Sequence, residues 1–148
     1  TCDLDKSQGR IVGTVDDQIS QTLGIHTLFS ECIQGQHYKK GEQFKEHTDT
    51  FTPNTPEYEK NCTGKGQRTW TVMVYLNEPQ EGGETSFPLA KTEDGNPLMI
   101  KPELGLAVAW NNLYVNGEVN EYSLHEGISV KKGVKTIITK WFREKRDL

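Results

Sequence analysis

Arg68-Thr-Trp-Thr-Val-Met-Val-Tyr-Leu-Asn-Glu-Pro-Gln-Glu-Gly-Gly-Glu-Thr-Ser-Phe-Pro88 carries two β-prone segments, residues 68–76 and 84–88, on either side of a turn rich in Asn, Pro and Gly. Val, Thr and aromatic side chains suit a pleated, half-buried surface, and Gly82-Gly83 supplies backbone conformations that a Cβ resists. The pattern extends outward in both directions. Strands are expected at residues 32–39, 43–47, 97–101, 105–110, 123–130 and 135–143, with glycines such as Gly41 and Gly105 at the turns. Short strands at this spacing predict a sandwich or barrel, and their number fits a jelly roll. Upstream, Val15, Ile19 and Leu23 recur every four residues, with Thr14, Asp16 and Asp17 at one end and Gly24 at the other. This predicts a helix over residues 14–24, capped by Thr14 and ended by a left-handed Gly24, and it is the only helix expected. Residues 50–67 hold Pro53, Pro56, Gly64 and Gly66 and are too long for an ordinary hairpin connection, so they read as a lid or binding loop.

Composition bounds the function. At 148 residues the chain is about one domain in size. Hydrophobic residues at 33% and a mean hydropathy of −0.71 make it polar enough to raise disorder as a rival, but three Trp argue for a folded core. A net charge of −4 disfavours a polyanion binder, so no nucleic-acid partner is expected. Residues 131–148 are locally basic, which reads as a solvated strand end, with recognition of an acidic partner as the alternative. No apolar run approaches the roughly 18 residues of a membrane span, so no membrane partner is expected. Cys2, Cys32 and Cys62 are odd in number and widely spaced, matching neither a disulfide framework nor a Cys-x-x-Cys metal site. A reducing compartment follows, and a cytoplasmic location is expected. The chain opens without Met, and its first nine residues read as a cut inside a larger sequence.

His47-Thr-Asp49 is the first chemical feature, because residues i and i+2 of an extended segment project to one face and can share a metal ion. Alone it is weak: a chain of this composition carries such a match by chance about 0.2 times. His125 is the second feature, followed ten residues later by Lys135 in a strand-like segment. Two imidazoles and a carboxylate on one face, with three positions open, are the arrangement of non-haem Fe(II) oxygenases. Zinc takes similar ligands, so the ligand set does not select iron; a zinc hydrolase would need a base, for which Glu126 is the only neighbour to nominate. The lysine points to iron. A buried ammonium needs a partner, and a dicarboxylic co-substrate chelating the metal at one end supplies a carboxylate at the other.

These residues resemble the 2-oxoglutarate and Fe(II)-dependent dioxygenases, specifically the prolyl 4-hydroxylase branch. The resemblance covers residues 38–141 through Tyr38-Lys-Lys-Gly41, Phe44-Lys-Glu-His-Thr-Asp49, Gly66-Gln-Arg-Thr69, Tyr75-Leu-Asn77, Glu81-Gly-Gly-Glu-Thr-Ser-Phe-Pro88, Pro102, Gly105, Trp110-Asn111, His125, Gly133-Val-Lys135 and Lys140-Trp141. It implies a mainly β fold, a double-stranded β-helix (jelly roll, cupin-like) core over residues 32–143, with the N-terminal helix packed outside. It implies that His47, Asp49 and His125 ligate Fe(II) and serve catalysis, that Lys135 pairs with the distal carboxylate of 2-oxoglutarate, and that Thr85 and Tyr38 assist it. Arg68 and Trp141 match positions on the substrate side. The implied reaction uses O2 to hydroxylate C4 of a prolyl residue in a peptide or protein, releasing succinate and CO2, with ascorbate as reductant. Phe44 stands where this branch often has Tyr, which weakens the substrate assignment. Residues 1–148 would form a single catalytic domain lacking some N-terminal supporting elements. Hydroxylation of a free amino acid or other small molecule is the alternative, and a non-catalytic jelly-roll binding module the second.

Overall fold

In the computed structural model, which describes residues 1–146, the strand nearest the centre is also the longest. The basic tract from residue 131 extends over Asp147 and Leu148, which lie outside the described residues. The elements in chain order are β1 (Cys2–Leu4), α1 (Arg10–Leu23), β2 (Ile33–Tyr38), β3 (Phe44–His47), α2 (Pro56–Cys62), β4 (Arg68–Tyr75), β5 (Glu81–Gly82), β6 (Thr85–Lys91), β7 (Pro97–Ile100), β8 (Ala107–Asn111), β9 (His125–Gly127), β10 (Val130–Lys132) and β11 (Lys135–Arg143). One sheet has the order β1-β2-β11-β4-β8, a second β3-β9-β6-β7, and β10 pairs with β5. All the pairings are antiparallel. The chain is therefore mainly β with a jelly-roll core, as expected, and β1 adds an edge strand upstream of residues 32–143.

β11 shows how the layers form. It is buried along almost its whole length because both of its faces are covered. Ile138 and Phe142 face α1 and pack with Ile19, Ile33 and Val72. Lys135, Ile137, Thr139 and Trp141, at alternate positions, face a cavity between the two sheets. Lys140 falls on the α1 side, is 1% exposed, and is neutralised by an ion pair with Asp16.

Three expectations need correction. The α1 helix begins at Arg10 rather than Thr14, so the Thr14 hydroxyl donates back to the Arg10 carbonyl at 2.9 Å instead of capping. Asp16 and Asp17 lie inside the helix and each pair with Lys6 at 2.8 Å, so ion pairing rather than the helix dipole explains them. The left-handed Gly24 end is as expected, with φ 69°. Second, α1 is not the only helix. Within residues 50–67, Thr55 accepts the Tyr58 N–H at 3.1 Å, Pro56 opens α2, and Glu57 and Glu59 lie in its first turn. Those are ordinary start signals, masked by flanking Pro and Gly. Third, the strand expected over residues 123–130 divides into β9 and β10, which join different sheets. No helix among the described residues is long and apolar enough to cross a membrane.

Candidate metal and co-substrate site

Each histidine sits where a strand of the smaller sheet meets the cavity: His47 ends β3, His125 opens β9, and the two are register partners across the ladder. Asp49 follows two residues after His47. One ligating atom from each of the three lies within 4.8 Å of the others. Asp49 Oδ1 is 3.5 Å from His47 Nε2 and 3.9 Å from His125 Nε2. The other ring nitrogen of each histidine meets a main-chain carbonyl, His47 Nδ1 to Lys45 at 2.7 Å and His125 Nδ1 to Ser123 at 2.8 Å. A carbonyl only accepts, so Nδ1 of each ring carries a proton, which leaves Nε2, on the Asp49 side, as the nitrogen able to ligate a metal. Burial of Asp49 opposes its charge, but His47, His125 and Thr71 outweigh burial and bring its pKa down to about 2. Burial also depresses His125, with Asp49 opposing, which favours its neutral form. Two imidazoles and one carboxylate, open to a cavity on one side, fit a ferrous ion.

Aromatic rings pack against both histidines, and His125 is buried among them. Trp110 and Phe87 lie 4.8 and 5.7 Å from His125 between ring centroids, and Phe44 lies 4.2 Å from His47. Thr71 donates to Asp49 Oδ2 at 2.6 Å and accepts from Asn112 Nδ2 at 2.8 Å.

Lys135 lies on the cavity wall, 3% exposed. It has no hydrogen-bond or ion-pair partner among the described residues. The rings of Tyr38 and Tyr75 stand 5.5 and 5.4 Å from its Nζ. Burial pushes its pKa down to about 8, with the charge of Glu84 opposing. The Thr85 hydroxyl meets Tyr75 Oη at 2.6 Å, and Tyr38 Oη donates to Gln36 Oε1 at 2.5 Å. Burial, with help from Glu42, raises Tyr38 to about 12, so it stays protonated. Gly83 makes room for the lysine: at φ 81° its Cβ would stand 3.4 Å from Lys135 Cδ and 3.0 Å from Pro79 Cγ.

At the outer end, the Arg68 guanidinium lies 3.8 Å from the Trp141 ring centroid and 5.0 Å from that of Phe51. Glu31 holds it bidentately at 2.7 and 2.8 Å and also meets Arg143 Nε at 2.7 Å. Arg68 is thus a fixed, charge-matched element.

All eight expected site residues, His47, Asp49, His125, Lys135, Thr85, Tyr38, Arg68 and Trp141, line one cavity of about 390 Å³, bordered by Phe51, Thr52 and Glu57 of the long loop. Glu126, the base nominated for a zinc hydrolase, does not line it. Sequence reasoning missed Tyr75 and Thr71, whose inward positions could be read from the alternation in β4. It also missed Glu31 and Asn112, which only the fold brings close.

Fold and site together define a jelly-roll protein with the facial His-Asp-His grouping of non-haem iron oxygenases. Residues 33–143 match the 2OG-Fe(II) oxygenase superfamily, and the chain belongs to that family. It is 32% identical to "Probable prolyl 4-hydroxylase 10" of Arabidopsis thaliana over 95% of this chain and 51% of the relative. It is 28% identical to "Prolyl 4-hydroxylase subunit alpha-2" of Gallus gallus over 96% of this chain and 25% of the relative. Among solved structures, it resembles the viral collagen prolyl hydroxylase vCPH from Paramecium Bursaria Chlorella virus-1 in its 2OG complex. That match has a TM-score of 0.77 and 27% identity, and covers 96% of this chain and 77% of the other. The chain spans about half the length of the first curated relatives it matches.

Proposed function

We propose that this chain is the catalytic domain of an Fe(II)- and 2-oxoglutarate-dependent prolyl 4-hydroxylase acting on a peptide or protein. The observation that carries this reading is the unpaired, buried Lys135 in the same cavity as His47, Asp49 and His125. A metal-binding fold without a dianionic ligand has no use for an ammonium there. His47 and His125 Nε2 and Asp49 Oδ1 would hold the ferrous ion. Bound there, ion and 2-oxoglutarate supply the oxidising chemistry, in which one oxygen atom of O2 enters a C–H bond and the other enters succinate as CO2 leaves.

The remaining work falls to the protein. Lys135 neutralises the distal carboxylate of the co-substrate, and the low dielectric around it strengthens that bond. The Tyr38 and Thr85 hydroxyls orient the same end. Trp110 and Phe87 keep water from His125. Arg68, immobilised by Glu31 and Trp141, places fixed N–H donors beside an entering peptide. Ascorbate would restore ferrous iron after unproductive turnover. We also propose a cytoplasmic setting, in keeping with three cysteines that are all free.

The test is mass spectrometry of proline-containing peptides and of free proline after incubation with Fe(II), 2-oxoglutarate and ascorbate. The expected result is the mass gain of one oxygen atom on a peptide, abolished by His47→Ala. Turnover of free proline alone would overturn the peptide reading in favour of a small-molecule hydroxylase. No turnover of any substrate by metal-loaded protein would favour a binding module.

A further inference from the structure

Asp49 carries two carboxylate oxygens, and they face different partners. Oδ1 is turned toward His47 and His125, whereas Oδ2 receives the Thr71 hydroxyl at 2.6 Å. Thr71 is fully buried on β4, opposite Trp141 on β11 and Trp110 on β8. A hydroxyl has one proton to give, and this one goes to the carboxylate, so any further partner must donate to Thr71. Asn112 does so through Nδ2 at 2.8 Å.

The Asn112 main chain is held on both sides. Its main-chain N–H donates to the Thr69 carbonyl at 2.7 Å and its carbonyl accepts from Asn120 at 2.9 Å. The side chain is fully buried and its Oδ1 has no hydrogen-bond partner among the described residues. Burying an amide with its acceptor unmet is unfavourable, so this asparagine is placed for its donor rather than as a satisfied core residue. The bonds run in one direction, from Asn112 to Thr71 to Asp49.

We propose that Thr71 and Asn112 are positioning residues that engage Asp49 Oδ2, so that the carboxylate offers Oδ1 alone to the metal and leaves room for co-substrate and dioxygen. The proposal rests on the reading of His47, Asp49 and His125 as ligands. Without the Thr71 hydroxyl, the carboxylate turns freely about its last bond and the three-atom ligand set loses its preorganisation. Neither residue lines the cavity, so both act only through Asp49.

The test measures Mn(II) affinity on the full chain, without co-substrate or turnover, together with the thermal midpoint of the metal-free protein. Thr71→Val, which keeps shape and removes the hydroxyl, is expected to weaken Mn(II) binding roughly 10- to 100-fold. Thr71→Ser restores it to near the wild-type value. Asn112→Leu causes a smaller loss and adds little when combined with Thr71→Val. Wild-type affinity in Thr71→Val, or an equal loss in Thr71→Ser, overturns the proposal. A shared fall in metal-free thermal midpoint with unchanged Mn(II) affinity also overturns it, because a purely structural role gives that pattern. Should Thr71→Val not fold, wild-type affinity in Asn112→Leu overturns the relay. If wild-type protein binds no Mn(II), the ligand assignment itself falls, a result distinct from all of these.

Discussion

Replacing Lys135 by Met is predicted to stabilise the ligand-free protein while weakening its affinity for 2-oxoglutarate. Lys135 is 3% exposed with no hydrogen-bond or ion-pair partner among the described residues, and burial takes its pKa from the ordinary 10.5 to about 8. At about 1.4 kcal/mol per pH unit, keeping that charge in the fold costs about 3 kcal/mol. Below pH 8 folded and unfolded chains are both protonated and the whole penalty applies. Between pH 8 and 10.5 the folded chain has released a proton that the unfolded chain still holds, so wild-type stability rises with pH. The gain from Lys135→Met is therefore largest at pH 7 and fades toward pH 10.5. Met fills nearly the same volume, and lost contacts with the Tyr38 and Tyr75 rings reduce the gain to about 1–3 kcal/mol. Urea unfolding at pH 7 and pH 9.5 measures it, and calorimetry with the metal-loaded protein measures 2-oxoglutarate affinity. That affinity should fall about 100-fold with loss of a charge-assisted bond. A destabilised variant at pH 7, a gain independent of pH, or 2-oxoglutarate affinity equal to wild type would refute the reasoning.

Tyr38→Phe removes a hydroxyl beside Lys135 and should raise KM for 2-oxoglutarate about fivefold with little change in kcat; an unchanged KM would remove Tyr38 from the site. Gly83→Ala places a Cβ against Pro79 and Lys135 at a positive φ. It should cost about 1–2 kcal/mol in urea unfolding and weaken 2-oxoglutarate binding through the displaced lysine, whereas wild-type behaviour would show the close approach to be unimportant. Glu31→Gln leaves Arg68 and Arg143 without their shared counter-charge. Since Glu31 is partly exposed, a loss of about 1–2 kcal/mol is expected, with a higher KM for peptide and an unchanged KM for 2-oxoglutarate. The reverse pattern in KM would place Arg68 at the wrong end of the cavity.

What could be read before folding follows from the range of each interaction. His47 and Asp49 are two residues apart in an extended run, so their shared face is a local property of the strand. Gly24 and the four-residue spacing of Val15, Ile19 and Leu23 mark a helix in the same local way. Lys135 was legible through chemistry, since a strand lysine near candidate ligands asks for an anion. Thr55-Pro56-Glu57 was equally local, but its helix signals were overshadowed by the loop composition around them. Glu31 and Arg68 are 37 residues apart, and Asn112 and Thr71 are 41 apart. Their pairing depends on which strands adjoin, and no periodicity along the chain encodes that. The division of residues 123–130 between two sheets is illegible for the same reason.

The central claim is that one cavity binds ferrous iron through His47, Asp49 and His125 and 2-oxoglutarate through Lys135. Anaerobic titration of the protein with Fe(II) and 2-oxoglutarate tests it most directly, by the weak visible charge-transfer absorption of the chelate. The absorption should appear only when both are present, vanish in Asp49→Ala, and require far more 2-oxoglutarate in Lys135→Met. Its absence from folded, iron-loaded wild-type protein at saturating 2-oxoglutarate would contradict the account.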